Sequence, residues 1–272
     1  MCGLGHPAKG ARSGAEGVAI AAMERLTSRK NPLIVHLRAL GADRTYRREK
    51  GEFLCDGGKL LAEAVQWGAE ITAALWSEAP TLELDCPQYQ ADRELLDYVS
   101  PLKHASSVVF SVRMKPAEAA AAPGRTLVLE TIQDPGNLGT ILRTANALNV
   151  DTVILTGDCA DVYNPKTVRA GMGACFRQRW LEMDRDTLRT YLADEGLKLY
   201  GAALSDRSAD IRALSLENAA VAIGSEGQGL SAELLAMCDG ELIIPMNPQC
   251  ESLNASVAAA IIMWELTKFK GG

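Results

Sequence analysis

The chain has 272 residues, of which 47% are hydrophobic, and carries 28 Lys and Arg against 34 Asp and Glu for a formal net charge of −6. That is enough chain for one large domain or two ordinary ones, with the apolar content of a globular protein. No stretch approaches the roughly 18 continuous apolar residues of a membrane span, and the overall negative charge by itself argues against a nucleic-acid partner.

The charge is unevenly spread. The first 50 residues hold ten Lys and Arg but only four Asp and Glu, whereas the other 222 hold 18 and 30. A basic arm on an acidic body is the distribution that local phosphate contacts need, although a solvated leader gives the same pattern. Residues 1–22 are rich in Gly and Ala, lack a secretory apolar core and read as a disordered leader, with folded structure beginning near Met23. Pro32 to Leu40 reads as a helix, with proline at its start and Leu33, Leu37 and Leu40 on one stripe. Phe53-Leu54-Cys55 reads as a short strand, and Gly58 to Trp67 as a helix with Leu60, Leu61, Ala64 and Val65 inward. Ile71 to Trp76 and Ser107 to Val112 read as further strands. Together, residues 23–113 form a small α/β unit.

An Ala/Pro-rich stretch over residues 114–124 reads as a linker to a second unit, residues 125–272. Strand patterns there cover Thr126–Ile132, Thr152–Thr156, Lys198–Ala203, Ala219–Ile223 and Glu241–Ile244, with helical patterns between them and a last helix from about Asn254 to Lys268. Strands alternating with helices imply a mostly parallel sheet with helices on both faces. Such sheets bind ligands outside the carboxyl ends of their strands. The seven cysteines form no CxxC, and none of the three histidines lies near one. This pattern points to reduced thiols in a cytoplasm and to no metal site.

Three strand-to-loop junctions carry unusual residues. After the first strand, Asp134-Pro135-Gly136 is turn chemistry, and Asn137 stands where a helix cap belongs. In the following helix Leu138, Ile141, Leu142, Ala145 and Leu148 share one face. Arg143 lies roughly 140° around from Leu138, away from the packing stripe. The second junction is Gly224-Ser225-Glu226-Gly227-Gln228-Gly229. Its order G-x-x-G-x-G is not the G-x-G-x-x-G of a dinucleotide fold, and no GK[ST] follows, so both nucleotide readings lose their signature. The third, Ile244-Pro245-Met246 through Ser252-Leu253-Asn254-Ala255-Ser256, crowds a helix entry with more polar groups than one cap requires.

In this order the three junctions resemble the three motifs of the SpoU/TrmH class of SPOUT RNA methyltransferases, over about residues 125–268. Asn164 to Gly173 is similar to the family's intermotif segment. Leu26 to Pro32 and Gly51 to Gly57 resemble the substrate-binding domain of its ribosomal RNA members, although Cys55-Asp56 stands where that domain usually carries an aliphatic residue and Glu. The resemblance implies an S-adenosylmethionine-dependent ribose 2′-O-methyltransferase of 23S ribosomal RNA. The alternatives are a transfer-RNA methyltransferase or a knotted RNA-binding factor without catalysis. It implies an α/β fold with a C-terminal trefoil knot, a front domain like ribosomal protein L30e, and a homodimer with the active site near its interface. Asn137, Arg143, Glu226, Ser252 and Asn254 are implied as the polar active-site set, and Gly224, Ile244, Met246 and Leu253 as cofactor contacts. Arg29, Lys30, Arg38, Arg47 and Arg48 in the front domain are the expected RNA contacts.

Overall fold

The computed structural model describes residues 23–102, 104–115, 124–225, 227–250 and 252–268. The expected leader, residues 1–22, lies outside them, as does most of the expected linker.

The front unit runs β1 (Glu24–Leu26), α1 (Pro32–Ala42), α2 (Arg44–Lys50), β2 (Glu52–Asp56), α3 (Gly58–Gln66), β3 (Ile71–Trp76), β4 (Gln88–Ala91), α4 (Arg93–Val99) and β5 (Val108–Arg113). Its five strands lie in the order β1-β4-β3-β5-β2, with β5 antiparallel to both β3 and β2. α1 begins where expected, with Asn31 capping Leu33 N. Its buried stripe is Ile34, Leu37 and Leu40, with Leu33 only partly covered. On α3, Leu61 and Ala64 are buried while Val65 is exposed, because only one narrow face meets the sheet.

The second unit runs β6 (Thr126–Glu130), α5 (Pro135–Ala147), β7 (Thr152–Thr156), α6 (Pro165–Gly171), β8 (Trp180–Glu182), α7 (Arg185–Asp194), β9 (Lys198–Ala202), β10 (Ala209–Asp210), β11 (Ala219–Ile223), α8 (Ala232–Leu235), β12 (Gly240–Ile243) and α9 (Ala255–Thr267). Seven strands pair in the order β10-β12-β9-β11-β6-β7-β8, every pair parallel. Each residue of β6, β7 and β11 is buried, with apolar centres covered on both faces and Thr or Glu at the ends of β6 and β7. Alternate residues pack to opposite sides. Leu127, Leu129, Val153 and Val221 meet α5 and α9, while Val128, Ile154 and Ala220 meet Leu188 of α7 and Leu234 of α8. α5 and α6 approach very closely at Gly139, where a Cβ atom would sit 2.4 Å from the Thr167 carbonyl oxygen. No helix among the described residues is long and apolar enough to cross a membrane.

The two units share one core. Phe53 of β2 stacks on Tyr163 at 4.4 Å between ring centroids and lies 6.1 Å from Phe176. Burial pushes Tyr163 and Cys175 in this core each up to about 12, so both stay neutral. Basic side chains of α2 tie the join from the front. Arg48 forks onto Glu182 at 2.8 and 3.0 Å, and Arg44 reaches the same carboxylate at 3.2 Å. Arg47 is 3% exposed and gives two hydrogen bonds to one oxygen of Asp161, at 2.6 and 3.0 Å, and a third to the Leu40 carbonyl at 2.9 Å. The expectation of Arg47 as an RNA contact is therefore corrected, because its guanidinium is spent inside the protein.

Candidate active site

The three motif-bearing junctions converge outside the carboxyl ends of β6, β11 and β12. Two of them, after β11 and β12, supply most of a cavity of about 570 Å³, with the end of β9 and the start of α9 completing it. That is within the usual size range of a small-molecule or cofactor site. Gly224, Ile244, Met246 and Leu253 all line it, so the four expected cofactor contacts meet at one place. Ser252 lines it as well.

Local chemistry explains the loop shape. Gly229 adopts φ 67°, and its N–H closes back on the Ser225 carbonyl at 2.9 Å. This fold-back leaves no space at Gly224, where a Cβ would stand 2.0 Å from the Gly229 carbonyl carbon. The loop ends at Ser231, which caps α8 by accepting from Leu234 N at 3.1 Å. Ser231 is held in turn by Glu130, whose carboxylate accepts from Ser231 N at 2.7 Å, Ser231 Oγ at 2.8 Å and Arg185 Nη2 at 2.9 Å. Sequence reading missed Glu130. An acidic residue closing a fully buried strand was the available signal, since such a carboxylate must find partners.

Asn137 does not cap α5. Asp134 does, accepting from Asn137 N at 2.7 Å, and Pro135 takes the first helical position. Asn137 thus lies in the first turn, and its side chain reaches across to the third junction. Its Oδ1 accepts a hydrogen bond from Asn254 Nδ2 at 3.0 Å. Asn254 is also the cap of α9, accepting from Ser256 N at 2.9 Å. The pair joins the first junction to the third at the cavity rim.

Arg143 is exposed on α5, as its angular position required, and no carboxylate among the described residues pairs with it. The structure does not bring it into the cavity wall. Glu226 lies outside the described residues. Cys238, behind the cavity, has its thiol pushed up to about 11, first by burial and then by Glu241 and Asp239, which rules it out as a nucleophile near neutral pH. In the front unit Arg29, Lys30, Arg38 and Arg48 are exposed. The Arg38 and Arg29 guanidinium carbons lie 4.0 and 4.6 Å from the centre of the Tyr98 ring.

Residues 124–264, more than half of the chain, match the SpoU rRNA Methylase family. The chain belongs to that family. Among its SpoU relatives, the 23S rRNA (guanosine(2553)-2′-O)-methyltransferase RlmP of Bacillus subtilis is 31% identical, over 90% of this chain and 99% of its own. The rRNA methyltransferase of Sinorhizobium meliloti superposes with a TM-score of 0.82 at 25% identity, covering 92% of this chain and 99% of the other. The SpoU methyltransferase AviRb of Streptomyces viridochromogenes, solved in complex with AdoMet, superposes with a TM-score of 0.80 at 25% identity, covering 88% of this chain and 98% of its own.

The cavity fits S-adenosylmethionine, the AdoMet cofactor with which AviRb was solved. The wall is mostly main chain and apolar side chains, and Gly224 keeps the loop closed where any Cβ would force it open. Gly224→Ala is expected to weaken S-adenosylmethionine binding by about 10–100-fold, the equivalent of an overpacking cost of about 1–3 kcal/mol. Calorimetric titration checks this, and wild-type affinity would contradict it.

Proposed function

We propose that the protein transfers the methyl group of S-adenosylmethionine to a ribose 2′-hydroxyl of 23S ribosomal RNA. The observation that carries this reading is the convergence of Gly224, Ile244, Met246 and Leu253 on one cavity, with the Asn137–Asn254 pair at its rim. The relatives' names and the front unit with its exposed basic residues support ribosomal RNA as the substrate.

The cofactor supplies an electrophilic methyl on sulfonium, and the residues of this chain must hold the ribose oxygen in line with it. The three motifs contain no histidine. Ser252, Asn137 and Asn254 are neutral polar groups suited to orienting the hydroxyl. Arginine stays protonated in proteins, so Arg143 clamps the neighbouring phosphate and stabilises the negative charge that develops on the ribose oxygen as its proton passes to solvent water. Glu226 orients that guanidinium or a polar neighbour. Arg29, Lys30 and Arg38 hold RNA phosphates, with Tyr98 keeping the Arg29 and Arg38 guanidinium planes in place, whereas the expected contact Arg48 is engaged on Glu182.

Three further features belong to this reading. The C-terminal segment is tied as a trefoil knot, a reading supported by β12 lying between β9 and β10 beneath the chain that connects them. The front unit is the L30e-like substrate domain. The protein works as a homodimer: α9, which packs on α5, leaves Val257 and Trp264 47% and 64% exposed, and burying them sets Arg143 near the subunit boundary. The six described cysteines are free, which suits the cytoplasm where ribosomes are made.

Mapping ribose 2′-O-methylation across cellular RNA with and without the protein tests the assignment. Loss of methylation at one 23S nucleotide is expected. A loss confined to transfer RNA would replace the substrate, and no change in any RNA would overturn the activity.

A further inference from the structure

The connection from β9 to β10 is built as a strap. β9 ends at Ala202 and β10 begins at Ala209, and both residues stand opposite Leu242 of β12. All three strands are parallel, so residues 203–208 must cross β12 at that level. Leu242 is fully buried on one face of the sheet, and its neighbour Glu241 therefore faces the other. There the Glu241 carboxylate, 8% exposed, accepts from Arg207 Nη2 at 2.5 Å and from Ser205 Oγ. Ser208 Oγ closes the strap internally on the Ala203 carbonyl at 2.7 Å. The far end of the strap, Ala203 and Leu204, is wall of the S-adenosylmethionine cavity. Leu204 stands there 66% exposed, an apolar surface that a bound heteroaromatic ligand would cover.

We propose that Glu241 is a positioning residue for cofactor capture, latching the strap across β12 so that Ala203 and Leu204 close one side of the cavity. The proposal rests on reading this cavity as the cofactor site. Glu241 is not part of the cavity wall and acts through Ser205 and Arg207, so breaking the latch loosens the wall without touching the groups that hold the ribose. Charge-assisted hydrogen bonds to a carboxylate only 8% exposed bias where a six-residue segment rests.

The test uses the full chain and three variants, Glu241→Ala, Ser205→Ala and Arg207→Met. The last two change a strap side chain only, and Arg207 is 82% exposed, so folding is not at stake there. Glu241→Ala is expected to raise the Kd and KM for S-adenosylmethionine by about tenfold, and Arg207→Met by about threefold. The kcat at saturating cofactor and the KM for RNA should stay within about twofold, a split that general loosening of the fold does not produce. Hydrogen exchange at residues 203–208 should slow on adding S-adenosylmethionine to the wild type and much less in Glu241→Ala. Unchanged cofactor affinity in Glu241→Ala and Arg207→Met, with cofactor still protecting residues 224–230 and 244–253, overturns the latch alone. Absence of protection at those two loops in the wild type overturns the cavity assignment and the latch with it.

Discussion

Replacing Arg143 by alanine is expected to lower kcat for methyl transfer by about 10²–10³-fold, the range lost when a donor that stabilises developing negative charge is removed. Affinity for S-adenosylmethionine should stay within about twofold, because Arg143 is not part of the cavity wall. The guanidinium is exposed on the face of α5 opposite Leu138, so its deletion opens no cavity and the melting temperature should not move. Arg143→Lys keeps the charge but not the planar fork, and should recover only part of the rate. Single-turnover transfer from radiolabelled cofactor to ribosomal RNA compares both variants with the wild type. Wild-type turnover in Arg143→Ala would end the assignment.

Arg47→Ala is expected to destabilise the protein by about 3–5 kcal/mol, because it strands the Asp161 carboxylate in the join between the units. The Leu40 carbonyl loses its donor in the same change. Denaturant unfolding measures the effect, and the double variant Arg47→Ala/Asp161→Ala should cost less than the sum of its single changes, since removing both charges leaves neither unpaired. A phosphate-binding Arg47 predicts the reverse: intact stability and weakened RNA binding.

Most of the second unit was legible in the sequence because its signals are local. β7 and β11 fall on the expected residues, as fully buried runs with apolar centres bounded by turn chemistry. The expected cofactor contacts came from motif resemblance, and the structure brings those four residues to one wall. What escaped is what depends on distant partners. The sequence of α2, Arg-Thr-Tyr-Arg-Arg-Glu-Lys, has no apolar stripe, and its helix is fixed by the Asp43 cap and by carboxylates more than a hundred residues away. The basic run therefore looked like a phosphate-binding arm, when three of its arginines close the molecule onto itself. β4 and the short β8 and β10 carry too little apolar alternation to announce themselves, and are made strands by their neighbours. At α5 the cap fell three residues early because Pro135 favours the first helical turn and so makes Asp134, not Asn137, the boundary.

The shared core between the units has a consequence for how a target is chosen. With Phe53 wedged between Tyr163 and Phe176, and α2 clamped on Asp161 and Glu182, the front surface and the cavity cannot swing independently. The molecule behaves as a calliper with its jaws set at a fixed gap. On the proposed function, with RNA held at Arg29 and Arg38, a target would be selected by the spacing between that element and the ribose offered at the cavity rim. A helix shortened or lengthened by one base pair between those points would miss one jaw, whatever its sequence.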